Sequence, residues 1–411
     1  MCKRHNNILF LLLLVIAGSG VSCKKYAGIP DVSQPAYLRV FNNIPYSLDA
    51  FDKNLPQPFL TFLMDPEVDE NGIPNKAQIV GDFLSTRQLY SASYPINAGN
   101  TFQKINYDYP GNAPVLAAPS MNGFDLSAWA QVPSGKHRIM FVVRPFTDTA
   151  FSKLSLRERS TVLIDTTVEF TQGEVYTLEA VARDLEAAVY GLYFRQESFV
   201  HEHFDQDKLY LSVYNLTGTP LRSNPSKYAR QYYATDTMTL YYTYNVYNDI
   251  LSAPNSPFYT PIPDYNNVYL TTLSKRFTNT SPFFTLPFLS RDYYFDITGQ
   301  LRTFASKQTT QITPGSMPYI SFNVVNPQGN YLKGNDNLTS CIYSCTDPIF
   351  INNYQQGAAS SNGVDAAVAT ANLDQFTVID GNIKIYPTVN IFELVYDRVY
   401  HMQITRYNNG K

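Results

Sequence analysis

Charge is scarce in this chain. Lys, Arg, Asp and Glu make up 16% of its 411 residues, against about 25% in average globular proteins. The formal balance is −3, so no basic surface is offered to a nucleic acid. Histidine occurs five times and tryptophan once. Catalytic signatures are missing too: there is no Gly-x-Ser-x-Gly elbow, no His-Glu-x-x-His helix, no phosphate loop and no dinucleotide fingerprint. The expected function is therefore non-catalytic, with no cofactor and no nucleic-acid partner. Paired carboxylates for glycoside cleavage leave no local motif, and nothing in the sequence points to them.

Aromatic and amide side chains stand where charge is missing. There are 32 Tyr and 26 Phe, punctuated by 26 Pro and 20 Gly. Aromatic and β-branched enrichment between frequent turn residues favours strands. The chain reads as all-β, and its length suits two or three domains, each able to bury a core.

Only four cysteines are present, and their places are informative. Lys3, Arg4 and His5 form a short positive head, Ile8 to Ala17 is an unbroken apolar run, and small residues lead into Ser22-Cys23. That is the layout of a secretory signal peptide over residues 1–22, with a run too short to span a bilayer permanently. Gly20-Val21-Ser22-Cys23 resembles the lipobox of bacterial lipoproteins, departing from it at Gly20, and Ser-Cys-Lys-Lys looks like lipoproteins of Bacteroidetes. The resemblance implies lipid on Cys23, attachment to the outer membrane on its periplasmic or extracellular face, and a tether over residues 23–35. Cys341 and Cys345 remain as a pair. They form a disulfide if a turn brings their Cα atoms within about 7 Å; a metal site would need further Cys or His, which 340–347 lacks.

The body opens with Ala36-Tyr37-Leu38-Arg39-Val40-Phe41-Asn42, whose alternation sets Leu38 and Val40 on one face and Tyr37, Arg39 and Phe41 on the other. Asp65 to Gly72 is the most acidic run. Carboxylates at Asp65 and Asp69 before a glycine are similar to a calcium loop, although Glu70 stands where the sharp-turn glycine belongs; a solvated acidic loop is the other reading. Residues 97–127 read as loop, with Trp129 just beyond, either a sugar-stacking ring or a core anchor. His201 and His203 face the same way in an extended segment, with Asp205 and Asp207 close by, as either a weak metal site or a polar linker. Tyr242 and Tyr244 share a face of a Tyr-rich strand, which is either a stacking row for glycans or a half-buried sheet face.

Three echoes point to duplication. Tyr37-Leu38-x-Val40-Phe41-Asn42 returns as Tyr210-Leu211-x-Val213-Tyr214-Asn215. Glu169, Val175-Tyr176 and Leu178 have the spacing of Glu393, Val399-Tyr400 and Met402. Val142-Val143-x-Pro145 returns as Val324-Val325-x-Pro327. The expected organisation is one β-sandwich over 36–198, a linker over 199–208, and a second sandwich with long insertions over 209–411. Val132-Pro133-Ser134-Gly135 and Gly173-Glu174-Val175-Tyr176-Thr177-Leu178 resemble uncharacterised immunoglobulin-like domains of bacterial envelope lipoproteins; Asp397-Arg398-Val399-Tyr400 lacks the glycine. The resemblance implies tandem immunoglobulin-like β-sandwich domains and carries no activity. The expected role is presentation of loops for binding or assembly at the envelope, with a glycan or another envelope protein as partner. The alternatives are a glycan-binding accessory of a nutrient importer and an adhesive or structural subunit.

Overall fold

A computed structural model describes residues 29, 31–44, 59–84, 113–145, 147–184, 187–205, 208–218, 237–247, 259–261, 263–279, 283–287, 317–325, 375–379, 382–386, 388–395 and 398–406. The architecture is all-β, as composition and alternation predict, with only short 3-10 turns besides the strands among the described residues. Cys23, Cys341 and Cys345 lie outside the described residues.

The first half holds β1 (Pro35–Asn42), β2 (Leu60–Val68), β3 (Pro74–Leu84), β4 (Ala130–Pro133), β5 (Gly135–Val143), β6 (Val162–Phe170), β7 (Val175–Asp184) and β8 (Val189–Gln196). They form two sheets, ordered β4-β1-β7-β8 and β3-β2-β5-β6. Period-2 alternation decides what packs between them. Leu38, Val40, Tyr176 and Leu178 of the first sheet meet Phe62, Ile139, Phe141, Ile164 and Phe170 of the second in one core. Asp69 makes the β2–β3 turn: its backbone N–H donates to Ile73 O (2.9 Å), its carboxylate accepts from Asn71 N and Ile73 N, and Gly72 supplies the left-handed residue at φ 78°.

The second half holds β9 (Lys208–Asn215), β10 (Met238–Tyr247), β11 (Tyr259–Pro261), β12 (Val268–Leu273), β13 (Thr278–Asn279), β14 (Phe284–Pro287), β15 (Met317–Val325), β16 (Gln375–Ile379), β17 (Asn382–Tyr386), β18 (Thr388–Val395) and β19 (Arg398–Thr405). One sheet places β13 and β14 beside β9, followed by β18 and β19; another centres on β10, with β11 and β12 on one side and β15 on the other. β16 and β17 form a hairpin of their own.

Both Tyr-Leu-x-Val strands occupy the same place. β1 pairs parallel with β7, Tyr37 opposite Val175, and β9 pairs parallel with β18, Tyr210 opposite Val389. Pairing register also revises the second echo. β18, not β19, stands where β7 stands, so Glu393 (opposite Tyr214) corresponds to Glu179 (opposite Phe41) rather than to Glu169. Equal spacing misled because the strand that follows each of these, β8 or β19, repeats much the same apolar alternation.

Strands β1 and β7, at the centre of their sheet, are buried on both faces. The outer side of that sheet, with Tyr37, Phe41 and Val175, packs on Tyr210, Tyr214, Val389, Ile391, Met402 and Ile404 of the β9 sheet. Phe124, Trp129, Phe199 and Phe204 fill the same core, so residues 199–208 contribute apolar anchors as well as exposed His201 and His203.

The poles of the first half are distinct. Gln34 O accepts from Ser134 N and Pro35 O from Gly173 N, which gathers the start of β1 and two turns at one pole. At the opposite pole Asn42 Nδ2 donates to Leu84 O, and Leu60 pairs with both Leu84 and Val143. From that opposite pole the chain leaves into 45–58 and 85–112.

Candidate functional site

The densest polar constellation lies between the two halves. Arg195 on β8 sits among otherwise apolar strands, and each of its three guanidinium nitrogens donates to a different glutamate: Nε to Glu197 (2.8 Å), Nη1 to Glu179 (2.9 Å) and Nη2 to Glu393 (2.7 Å). All four side chains are buried. Glu179 comes from β7, Glu197 from the turn after β8, and Glu393 from β18, so one cation ties three elements of two halves. Further donors complete the carboxylates: Asn43 Nδ2 to Glu179 Oε2 and Thr177 Oγ1 to Glu197 Oε1, both at 2.5 Å. The Tyr214 ring lies 4.3 Å from the Arg195 guanidinium carbon. Burial would lower the Arg195 pKa, but Glu197, Glu393 and Glu179 outweigh it and hold the pKa well above its usual value. Burial beside this cluster also raises the Tyr193 phenol. Chemically this is a closed ionic clasp: a cation that cannot release its proton, with its carboxylates turned inward.

A second constellation staples the first half. Arg144 donates to Asp82, and to the carbonyls of Thr147 and Thr149, and stacks 4.2 Å from Phe83. Asp82 also accepts from Thr61 Oγ1 (3.0 Å) and Phe151 N (2.6 Å). These bonds pin 147–151 beside Arg144 and lay Phe151 and Leu154 onto Leu63, Met140 and Val142 on the outer face of the β2–β5 sheet.

The third is a His–Asp pair. His137 Nδ1 lies 2.7 Å from Asp65 Oδ2, while Asp65 Oδ1 accepts from Arg138 N. The ring stacks on Phe170, and Nε2 is buried without a partner. A His fixed by a carboxylate is the posture of a base, but its other nitrogen is buried without a partner, and the pair ties β2 to β5.

These placements decide the residues singled out by sequence. Asp65 turns to His137 and Asp69 to its own turn, so the two do not converge on an ion; no group of three or more ligating side chains occurs among the described residues. His201 Nε2 donates to Glu174 Oε2 at 2.7 Å and stays exposed beside exposed His203. Of the two readings of Trp129, the structure selects core anchor over stacking ring: it is 1% exposed, packed by Phe199 and by the Arg39 guanidinium. Tyr244 is likewise withdrawn from a binding row at 2% exposure. Its neighbours Tyr242 and Tyr265 meet it edge-on or tilted, at 79° and 55°, so their faces are used by one another rather than set coplanar for a sugar. Burial, then Tyr265, raises the Tyr242 phenol.

No protein-family model and no curated protein matches the chain. Its site must be read from its own residues. The clasp escaped sequence reading, though a signal was present: Thr177-x-Glu179 and Arg195-x-Glu197 put polar groups on one side of strands whose neighbours are apolar.

Proposed function

We propose that the chain is a non-catalytic outer-membrane lipoprotein, held by lipid on Cys23, whose tandem immunoglobulin-like sandwiches act as one rigid stalk presenting loops for binding or assembly. One observation carries this reading: the tether joins β1 at the pole opposite the one from which 45–58 and 85–112 depart. β9 rises beside β8, with Tyr214 level with Tyr193 and Tyr210 beside Phe204, so 219–236 follows from the same upper end. Of these three segments, 85–112 is rich in Tyr and Asn and 219–236 in Tyr, residues suited to adaptable contacts on a fixed scaffold. The clasp supports the reading by fixing the halves to one another.

The test is metabolic labelling with an alkyne fatty acid in a host that processes lipoproteins. Labelled protein in the membrane fraction, and unlabelled soluble protein for Cys23→Ala, is the expected result. Equal fractionation of the two would sink the anchor. A photo-crosslinking residue at Asn100 captures the partner, while one at Asn71, at the tether pole, does not; capture from Asn71 alone would reverse the polarity.

A further inference from the structure

We propose that Asn71-Gly72, at the tip of the β2–β3 hairpin, is a self-modifying site. It deamidates through a succinimide to aspartate and isoaspartate, while contacts between the halves hold Asn122-Gly123 back from the same reaction. Four Asn-Gly dipeptides occur in the chain, and those at 362–363 and 409–410 lie outside the described residues. Glycine matters at the second position because no Cβ shields its backbone nitrogen.

The reaction needs only water and base. The Gly72 nitrogen, its proton lost to solvent, attacks Asn71 Cγ; the Cγ–Nδ2 bond breaks and ammonia leaves. Water then opens the cyclic imide at either carbonyl, giving aspartate or isoaspartate and one new negative charge. The hairpin tip presents what this chemistry requires. Asn71 and Gly72 are both exposed, and a Cβ placed on Gly72 would meet nothing within 4 Å. Asn71 gives the turn only its backbone N–H, donated to Asp69 Oδ1 at 2.9 Å; its side-chain amide makes no hydrogen bond among the described residues. Freeing the nucleophile breaks one bond of an exposed turn, Gly72 N to Asp69 O at 3.0 Å. The product sets its charge beside Asp69 and Glu70.

Asn122-Gly123 carries the same dipeptide under restraint. Asn122 Nδ2, the leaving nitrogen, donates to Val200 O at 3.0 Å, and Arg406 Nε donates to Asn122 O at 3.3 Å. Met121 and Phe124 close the turn with a backbone bond in each direction, and Phe124 is buried against Phe199 and Phe204. An ionised acid at 122 could not donate to Val200 O, so this seam keeps its donor only while the amide survives.

Residue-resolved peptide mapping of the full chain, incubated at mildly alkaline pH with and without urea, is the test. In the folded chain, isoaspartate should accumulate at 71 at least about tenfold faster than at 122, because an exposed turn opens alone and a packed one only with the elements it joins. In urea the two rates should converge. Absence of isoaspartate at 71 in the folded chain, equal or faster reaction at 122, or a gap that persists in urea would overturn the proposal. Asn71→Gln, whose longer side chain closes the ring far more slowly, should remove the signal at 71 and leave the urea midpoint unchanged; a lowered midpoint would mean that the amide holds the turn, and would refute the inference.

Discussion

Arg195 has to be judged by what its removal leaves behind. A buried pair is weak stabilisation relative to a well-packed apolar substitute, yet breaking it strands the remaining charges. Arg195→Met leaves Glu179, Glu197 and Glu393 buried without their shared guanidinium, and the expected loss is about 3–5 kcal/mol, read from the midpoint of urea unfolding. Glu393→Gln, which keeps an acceptor oxygen for Nη2, should cost less. Tyr193 gives the pH dependence. Its folded pKa is raised, so its contribution is complete below the unfolded value of about 10 and fades as pH climbs beyond it. Thermal melts between neutral and strongly alkaline pH should show a decline that Tyr193→Phe makes shallower. Residue roles were the least legible part of the sequence. A lone Trp was readable as anchor or stacking ring, and only burial among Phe199 and Arg39 chose between them. Asp65 looked like a metal ligand because its partner His137 stands 72 positions away, a separation no local pattern encodes.

At the level of strands, the sequence spoke more clearly. The alternation of residues 36–42 assigned Leu38 and Val40 to one side and Tyr37 and Phe41 to the other, and the two sides enter different cores. What alternation could not reveal is that both sides are buried, because Tyr and Arg tolerate a solvent face as readily as a packed one. Gly191 on β8 illustrates a strand-level constraint. A Cβ there would run into the side chain of Arg183, whose Nη2 donates to Leu192 O (3.0 Å) and whose guanidinium lies 4.5 Å from the Phe277 ring of the second half. Gly191→Ala should displace Arg183 and forfeit that stacking, about 0.5–1 kcal/mol, and the Arg183→Ala variant should abolish the difference between Gly and Ala at 191. Trp129→Ala, by contrast, opens a large hole between the halves and should cost about 3–5 kcal/mol.

The molecule as a whole is organised around a sheet shared by two cores. Its first strand sits between β4 and β7, with packed side chains on either side, so the two halves are not independent beads. Calorimetry should record one cooperative transition for the intact chain. Truncation after Asp205 should yield a first half that self-associates, since Tyr37, Phe41 and Val175 lose their cover; a monodisperse fragment in light scattering would contradict this. The equivalent placement of β1 and β9 was legible in the Tyr-Leu-x-Val echo, because both strands sit at a sheet centre with a parallel neighbour, whereas the longer echo matched β7 to an edge strand, β19, and misled.

The parallel pairing of β1 with β7 has a mechanical consequence. A pull on residue 34, directed away from the body, acts along the length of β1 and opposes all its ladder bonds to β4 and β7 together, instead of peeling them one after another. Under tension from the proposed lipid, the first strand would slide only when the whole row yields at once. A single-molecule stretching experiment pulling from residue 34 would register this as a high, sharp rupture force.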